Sequence, residues 1–263
     1  MITSLRNTQV QAARKLAKRG VRDSRRRFIV EGAMGVGEAL VTGAPVTSVM
    51  FDSAKDPYEE LATLARRRKV PVIEISSQIM NAISGATTPP GILAICEYID
   101  LDPGLLLARP LELVVVLAGV RDPGNAGTIV RSAAAVGADA IFLGDETVDI
   151  YNPKVIRATA GAVFRLPLAR NVEVRWLLKE LERRGFRRLA ADPKGEVVYD
   201  QVDMRNKIAL ILGNEASGVN PGVAEAVDAR VAIPMKGGLD SLNVGMAAAV
   251  LLFEAARQRR TVA

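Results

Sequence analysis

The chain has 263 residues, 49% of them hydrophobic but only 4% aromatic, so Ala, Val, Leu and Ile must fill its interior, as in layered α/β proteins. It contains no histidine and a single cysteine, Cys96, which excludes Ser-His-Asp and Cys-His catalysis, the usual zinc and iron sites and any internal disulfide. A formal net charge of +6 points to an acidic partner, and no apolar run reaches the ~18–20 residues of a membrane span.

In chain order, spacing predicts a helix over residues 3–18, a strand over 27–30, a helix over 32–42 and a strand over 46–51. A helix over 57–68, a strand over 70–75, a short helix over 78–83 and a strand over 91–99 complete a small α/β sandwich domain, residues 1–100. Charge is concentrated here. Between Arg6 and Arg27 lie Arg14, Lys15, Lys18, Arg19, Arg22, Arg25 and Arg26, opposed by Asp23 alone, and residues 66–69 form a second cluster. One such cluster is equally a solvated helix face, but two in one third of a basic chain favour nucleic acid. Arg14, Lys18, Arg22, Arg25 and Arg26 are the candidate contacts. The N-terminus lacks the apolar core and cleavage site of a signal peptide, so the expected address is the cytoplasm.

Gly32, Gly35 and Gly37 imitate a dinucleotide fingerprint, but in the order G-x-x-G-x-G. Each glycine of the true motif has its own steric task against the pyrophosphate, so the order counts against it. No P-loop sequence is present either. Residues 101–110, with two prolines and a glycine, read as a linker, one whose leucines are expected to pack against a neighbour. From residue 111 to 263 a second series follows: LELVVVLAG, ADAIFLG, RRLAAD, KIALILGNE and ARVAIP, most of them separated by segments of helical spacing. Runs apolar on both faces, alternating with helices, describe a parallel sheet covered on both sides.

Three segments of this second domain carry chemistry. In LAGVRDPGNAGTIVR a strand ends in a tight turn and a helix over 126–136 follows, with Asn125, Thr128 and Arg131 within roughly 120° of arc. Arg131 is the one charged residue of a helix made mostly of Ala, Ile, Val and Gly. It is either half of a structural ion pair or a guanidinium offered to a phosphate or reacting hydroxyl. In LILGNEASGV a strand runs into glycine-rich backbone beside Glu215, which is an ordinary turn or a place for a ligand to approach closely. In VAIPMKGGLDSLNVGMAAAVLLF a glycine-bearing loop leads to Ser241, placed as an N-cap, and to a helix apolar on all faces to Phe253, hence expected to be deeply buried. Simple capping explains Ser241 but not Asn243.

NAGTIVR, LILGNEASGV and IPMKGGLDSLNV, in this order, resemble the three signature motifs of the SpoU (TrmH-like) RNA 2′-O-ribose methyltransferases. The first domain, through its α/β pattern, RRRFIVEG and its basic N-terminal helix, is similar to the ribosomal-protein-like substrate-binding domain of the rRNA members. The resemblance implies a parallel α/β trefoil-knot (SPOUT) fold, a homodimer with the active site at the subunit interface, and S-adenosylmethionine (SAM) held around Gly213, Asn214, Ile233, Met235 and Leu242. It implies Arg131 as catalytic arginine, Asn125 as its positioning partner, and Glu215, Ser241 and Asn243 as site-lining residues. Gly245, where many members carry serine, is a small departure. RNA is the implied partner, rRNA favoured over tRNA, with neither DNA nor a membrane, and no metal is called for.

A ribose 2′-hydroxyl is a poor nucleophile until its proton is removed or shared. Arginine is ordinarily protonated, so Arg131 would act as a base only by passing its proton to a phosphate, or would stabilise the developing alkoxide electrostatically. Two other classes compete: a non-catalytic RNA- or ribosome-binding protein of the same fold, against which the intact polar motif residues argue, and a nucleotide-dependent oxidoreductase, against which the glycine spacing argues.

Overall fold

The computed structural model describes residues 1–52, 54–55 and 58–260. The chain divides into two compact units: Met1–Ile99 with Tyr151–Arg165, and Asp100–Ile150 with Leu166–Ala263.

The first unit begins with α1 (Thr8–Lys15) and α2 (Arg19–Arg25), where one helix over 3–18 was expected. The Asn7 side chain starts α1 late by accepting from the N–H groups of Gln9 (2.9 Å) and Val10 (3.4 Å). Arg22 ends it early. Its guanidinium donates to the carbonyls of Leu16 (2.9 Å) and Ala17 (2.8 Å), satisfying the last turn, and the residue is only 3% exposed. Arg22 therefore faces the protein interior and leaves the set of expected RNA contacts. Then follow β1 (Arg27–Glu31), α3 (Ala33–Thr42), β2 (Val46–Phe51), α4 (Glu59–Arg67), β3 (Val72–Glu74), α5 (Ser77–Ile83) and β4 (Ile92–Glu97). The helix expected over 57–68 begins on Pro57, which lies outside the described residues. Among the described residues the sheet has four strands in the order β1-β4-β2-β3, antiparallel except for β2–β3. Cys96 is buried in β4, and burial pushes its thiol well above the usual range.

The second unit opens with α6 (Pro103–Leu107), in the stretch expected as linker. The Asp102 carboxylate caps it, and Leu106 and Leu107 are buried in the core of this unit. A segment that contributes two core leucines is part of the domain, not a tether. Next come β5 (Leu113–Ala118), α7 (Pro123–Ala135) and β6 (Ala140–Gly144).

The chain then leaves this unit. Residues 151–165, with α8 (Pro153–Thr159), pack in the first unit, so the domain expected as continuous over 111–263 is interrupted. An aromatic cluster draws the segment there. The Tyr151 ring stacks on Tyr98 with centroids 3.8 Å apart and also meets Phe28, while its hydroxyl accepts from the Ile99 N–H at 2.8 Å.

The chain returns as β7 (Leu168–Val172), α9 (Val174–Arg183), β8 (Arg187–Ala191), β9 (Val197–Val198), β10 (Ile208–Gly213), α10 (Pro221–Ala224), β11 (Ala229–Ala232) and α11 (Val244–Arg260). Among the described residues seven strands form one sheet, in the order β7-β6-β5-β10-β8-β11-β9, and every pairing is parallel. β5, β6 and β10 are almost wholly buried, as their unbroken apolar runs require. Leu177, Leu178 and Leu181 of α9 share one core with Val114, Val116, Ala209 and Ile211 of the sheet. α11 packs on α7 and β10. It is not buried all round: Met246 is 63% and Phe253 52% exposed. Among the described residues no helix is long and apolar enough to cross a membrane.

Candidate active site

The carboxyl ends of β5 and β10 lie side by side in the sheet, where open α/β folds place their ligands. After β5 the chain turns at Gly119, whose φ of 96° suits glycine, and Asp122 caps α7 by accepting from the Asn125 N–H at 2.8 Å. After β10, residues 214–218 form a small closed loop. The Asn214 N–H donates to the Gly218 carbonyl (2.8 Å) and the Gly218 N–H returns to Asn214 (2.9 Å). A Cβ at Gly213 would lie 2.2 Å from the Gly218 carbonyl carbon, so only glycine permits this loop to fold back on its strand. Asn214 ties the loop to the first turn, donating from Nδ2 to the Gly119 carbonyl at 3.1 Å.

Glu215 joins the two turns more firmly. Its carboxylate accepts from the N–H groups of Arg121 (3.2 Å) and Asp122 (2.9 Å) and from Asn125 Nδ2 (3.1 Å). Burial alone would raise its pKa, but these donors outweigh burial and hold it below the usual carboxylate range. Asn125 passes the connection on: its Oδ1 accepts from Asn243 Nδ2 at 2.8 Å. Asn243 Oδ1 in turn accepts from the N–H groups of Gly245 (2.9 Å) and Met246 (3.3 Å), so Asn243, not Ser241, caps α11. One ladder thus links all three motifs, and it fixes which way the Asn125 amide faces. Gly245 permits close packing beside it, since a Cβ there would stand 3.3 Å from the Thr128 Cβ on α7.

A cavity of about 420 Å³ opens beside this ladder, within the range of small-molecule sites. Gly213, Asn214, Ile233, Met235 and Leu242, the five expected cofactor residues, all line it, together with Glu215 and Ser241. The lining also includes Asp192 and Lys194 after β8, and Asp240, which the sequence reading missed. The available signal was RRLAAD, a strand closed by an acid. The donor set fits SAM. Ile233, Met235, Leu242 and Val219 offer apolar faces to a purine, the 213–218 backbone offers polar edges, and Asp192, Glu215 and Asp240 suit a ligand bearing a sulfonium and an ammonium.

Arg131 is not in that lining. It lies on the exposed side of α7, two turns beyond Asn125, opposite the buried Ile129, Val130 and Ala133, and among the described residues it has no ion pair. The structural ion pair considered for it is absent from the described residues. In the first unit Arg14, Lys18 and Arg25 are exposed, and Arg26, also exposed, lies over the Tyr98 ring at 5.2 Å.

The signature of the SpoU rRNA Methylase family matches residues 112–253, more than half of the chain. The chain belongs to that family. An MRM3-like substrate binding domain matches residues 7–94. The chain is 31% identical over 252 residues to the 23S rRNA (guanosine(2553)-2′-O)-methyltransferase RlmP of Bacillus subtilis (strain 168), covering 96% of this chain and 97% of the relative. It is 36% identical over 241 residues to the 23S rRNA (guanosine-2′-O-)-methyltransferase RlmB of Xylella fastidiosa (strain 9a5c), covering 89% and 93%. The crystal structure of an AdoMet-bound rRNA methyltransferase from Sinorhizobium meliloti superposes with a TM-score of 0.86 at 33% identity, covering 97% of each chain. The SpoU chain is accordingly a SAM-dependent RNA ribose 2′-O-methyltransferase with a parallel α/β fold like that of the family's solved structures.

Proposed function

We propose that the chain methylates a ribose 2′-hydroxyl of 23S rRNA in the cytoplasm, working as a homodimer. The observation that carries this reading is the Glu215–Asn125–Asn243 ladder, which joins three distant segments beside a cavity lined by every expected cofactor residue. The choice of 23S rRNA over tRNA rests on the relatives' substrate and on the matched substrate-binding domain. Arg14, Lys18, Arg25 and Arg26 are the proposed RNA contacts, and Arg22 is not.

SAM, held by Gly213, Asn214, Ile233, Met235 and Leu242, supplies an electrophilic methyl group. The residues of the chain position the acceptor and manage its proton. Glu215 and Asn243 hold the Asn125 amide from both sides, so its orientation is set before RNA arrives. Arg131, unencumbered by a carboxylate, is available to the acceptor oxygen and its neighbouring phosphate, and stabilises the charge that develops on the 2′-oxygen. Dimer contact is assigned to the exposed apolar face of α11, where Met246 and Phe253 stand two turns apart.

The test is a map of 2′-O-methylation in 23S rRNA from cells with and without the gene. Loss of one modified ribose, restored by the intact gene, supports the proposal. An unchanged 23S map, with a methyl missing from tRNA instead, overturns the substrate.

A further inference from the structure

In the first unit a cleft of about 450 Å³ opens between α1 and the end of α5. Arg14, Lys15 and Lys18 line one side, all exposed and without an ion pair among the described residues. The floor is apolar, formed by Ile29 and Ile83 with the exposed Ala17 at the mouth. Both walls are anchored from beneath. Arg22 clamps the carbonyls of Leu16 and Ala17, which sets the end of α1. On the other side the Glu31 carboxylate, its side chain 3% exposed, accepts from the Ser84 hydroxyl, the Gly85 N–H (3.1 Å) and the Arg157 guanidinium (3.2 Å). The cleft is therefore built in advance of any ligand.

Cations above an apolar floor are poorly matched to an RNA duplex, which buries its bases and presents phosphate and sugar. A single strand offers both a base face and phosphates. We infer that this cleft takes an unstacked nucleotide from a single-stranded part of the RNA substrate, with the base on Ala17, Ile29 and Ile83 and the flanking phosphates on Arg14, Lys15 and Lys18. The inference rests on the RNA-methyltransferase reading and deepens it: the first unit selects a loop or bulge instead of a regular helix. Arg22 and Glu31 become positioning residues of the cleft.

The test uses the full chain, with anisotropy of a short labelled RNA measured as a single strand and as a blunt duplex. Ala17→Phe fills the mouth of the cleft without touching its charge. It should weaken single-strand binding roughly tenfold, the scale of about 50 Å² of lost apolar contact, and leave duplex binding and the SAM-induced thermal shift unchanged. Unchanged strand affinity, or equal loss for strand and duplex, overturns the inference. The double variant Arg14→Glu with Lys18→Glu, at exposed positions, gives an independent reading: the salt dependence of strand binding should flatten by about two phosphate contacts, and an unaltered slope counts against it. Methyl transfer by the unaltered chain is measured in parallel. Its absence would discredit the enzyme reading, whereas transfer accompanied by variants that bind normally discredits the cleft alone.

Discussion

Arg131 and Glu215 are coupled to the fold in opposite ways, and their variants should separate accordingly. Arg131 is exposed and has no ion pair among the described residues, so Arg131→Ala should shift stability by no more than about 0.5 kcal/mol. The same change should lower methyl transfer by roughly a thousandfold or more at unchanged SAM affinity, and Arg131→Lys should rescue little, lacking the planar fork. A large fall in Tm would instead assign Arg131 to the scaffold. Glu215 is held by backbone donors and by Asn125, and its depressed pKa sets the sign of its pH dependence. Its ionic contribution is complete at neutral pH and is lost only as pH falls through a value below the ordinary 4.5. Glu215→Gln should therefore cut kcat/KM by roughly 10- to 100-fold through misplacement of Asn125, without changing the shape of the profile between about pH 6 and 9. A limb of the parent's profile in that window that vanishes in the variant would show that Glu215 titrates during turnover. At this scale the motif residues were legible because their polar groups interrupt apolar runs. Arg22 was not, since a guanidinium that turns back to cap its own helix has the same spacing as one facing solvent. Ser241 and Asn243 are both good caps, and only the observed start of α11 chooses between them.

The loop after β10 depends on one missing Cβ. Gly213→Ala forces that atom into the backbone of residues 218–219, so the loop must move away from the cavity wall. The expected cost is about 1–3 kcal/mol of stability together with loss of the SAM-induced thermal shift. A variant that keeps both would show that the loop accommodates the change elsewhere. The buried strands were readable from their unbroken apolar runs, but β7 was not. It carries Arg170 and Asn171, the latter at a φ of 54°, and its register against β6 shifts, so neither period appears in LARNV. α6 was hidden for another reason. Pro103 and Gly104 look like a linker, yet Pro at the first helical position starts a helix well, and Leu106 and Leu107 then reach the core.

The two-unit organisation was legible in outline because helix and strand signals restart after residue 110. The return of residues 151–165 to the first unit was not, because the contacts of Tyr151 with Phe28 and Tyr98 join positions far apart in sequence. The exposed face of α11 bears on assembly. The chain should sediment at twice its 28.1 kDa, and Phe253→Glu should yield a folded monomer. A monomeric parent, or a variant that stays dimeric, would remove α11 from the contact. The central claim, that the methyl goes to ribose, is tested most directly on the product. Alkaline cleavage of RNA requires attack by the free 2′-oxygen on its own phosphate. Purified protein, SAM and 23S rRNA should give a hydrolysis ladder with a single gap, absent without SAM and absent with Arg131→Ala. A methylated RNA whose ladder is continuous, with the label recovered on a free base, would contradict the account.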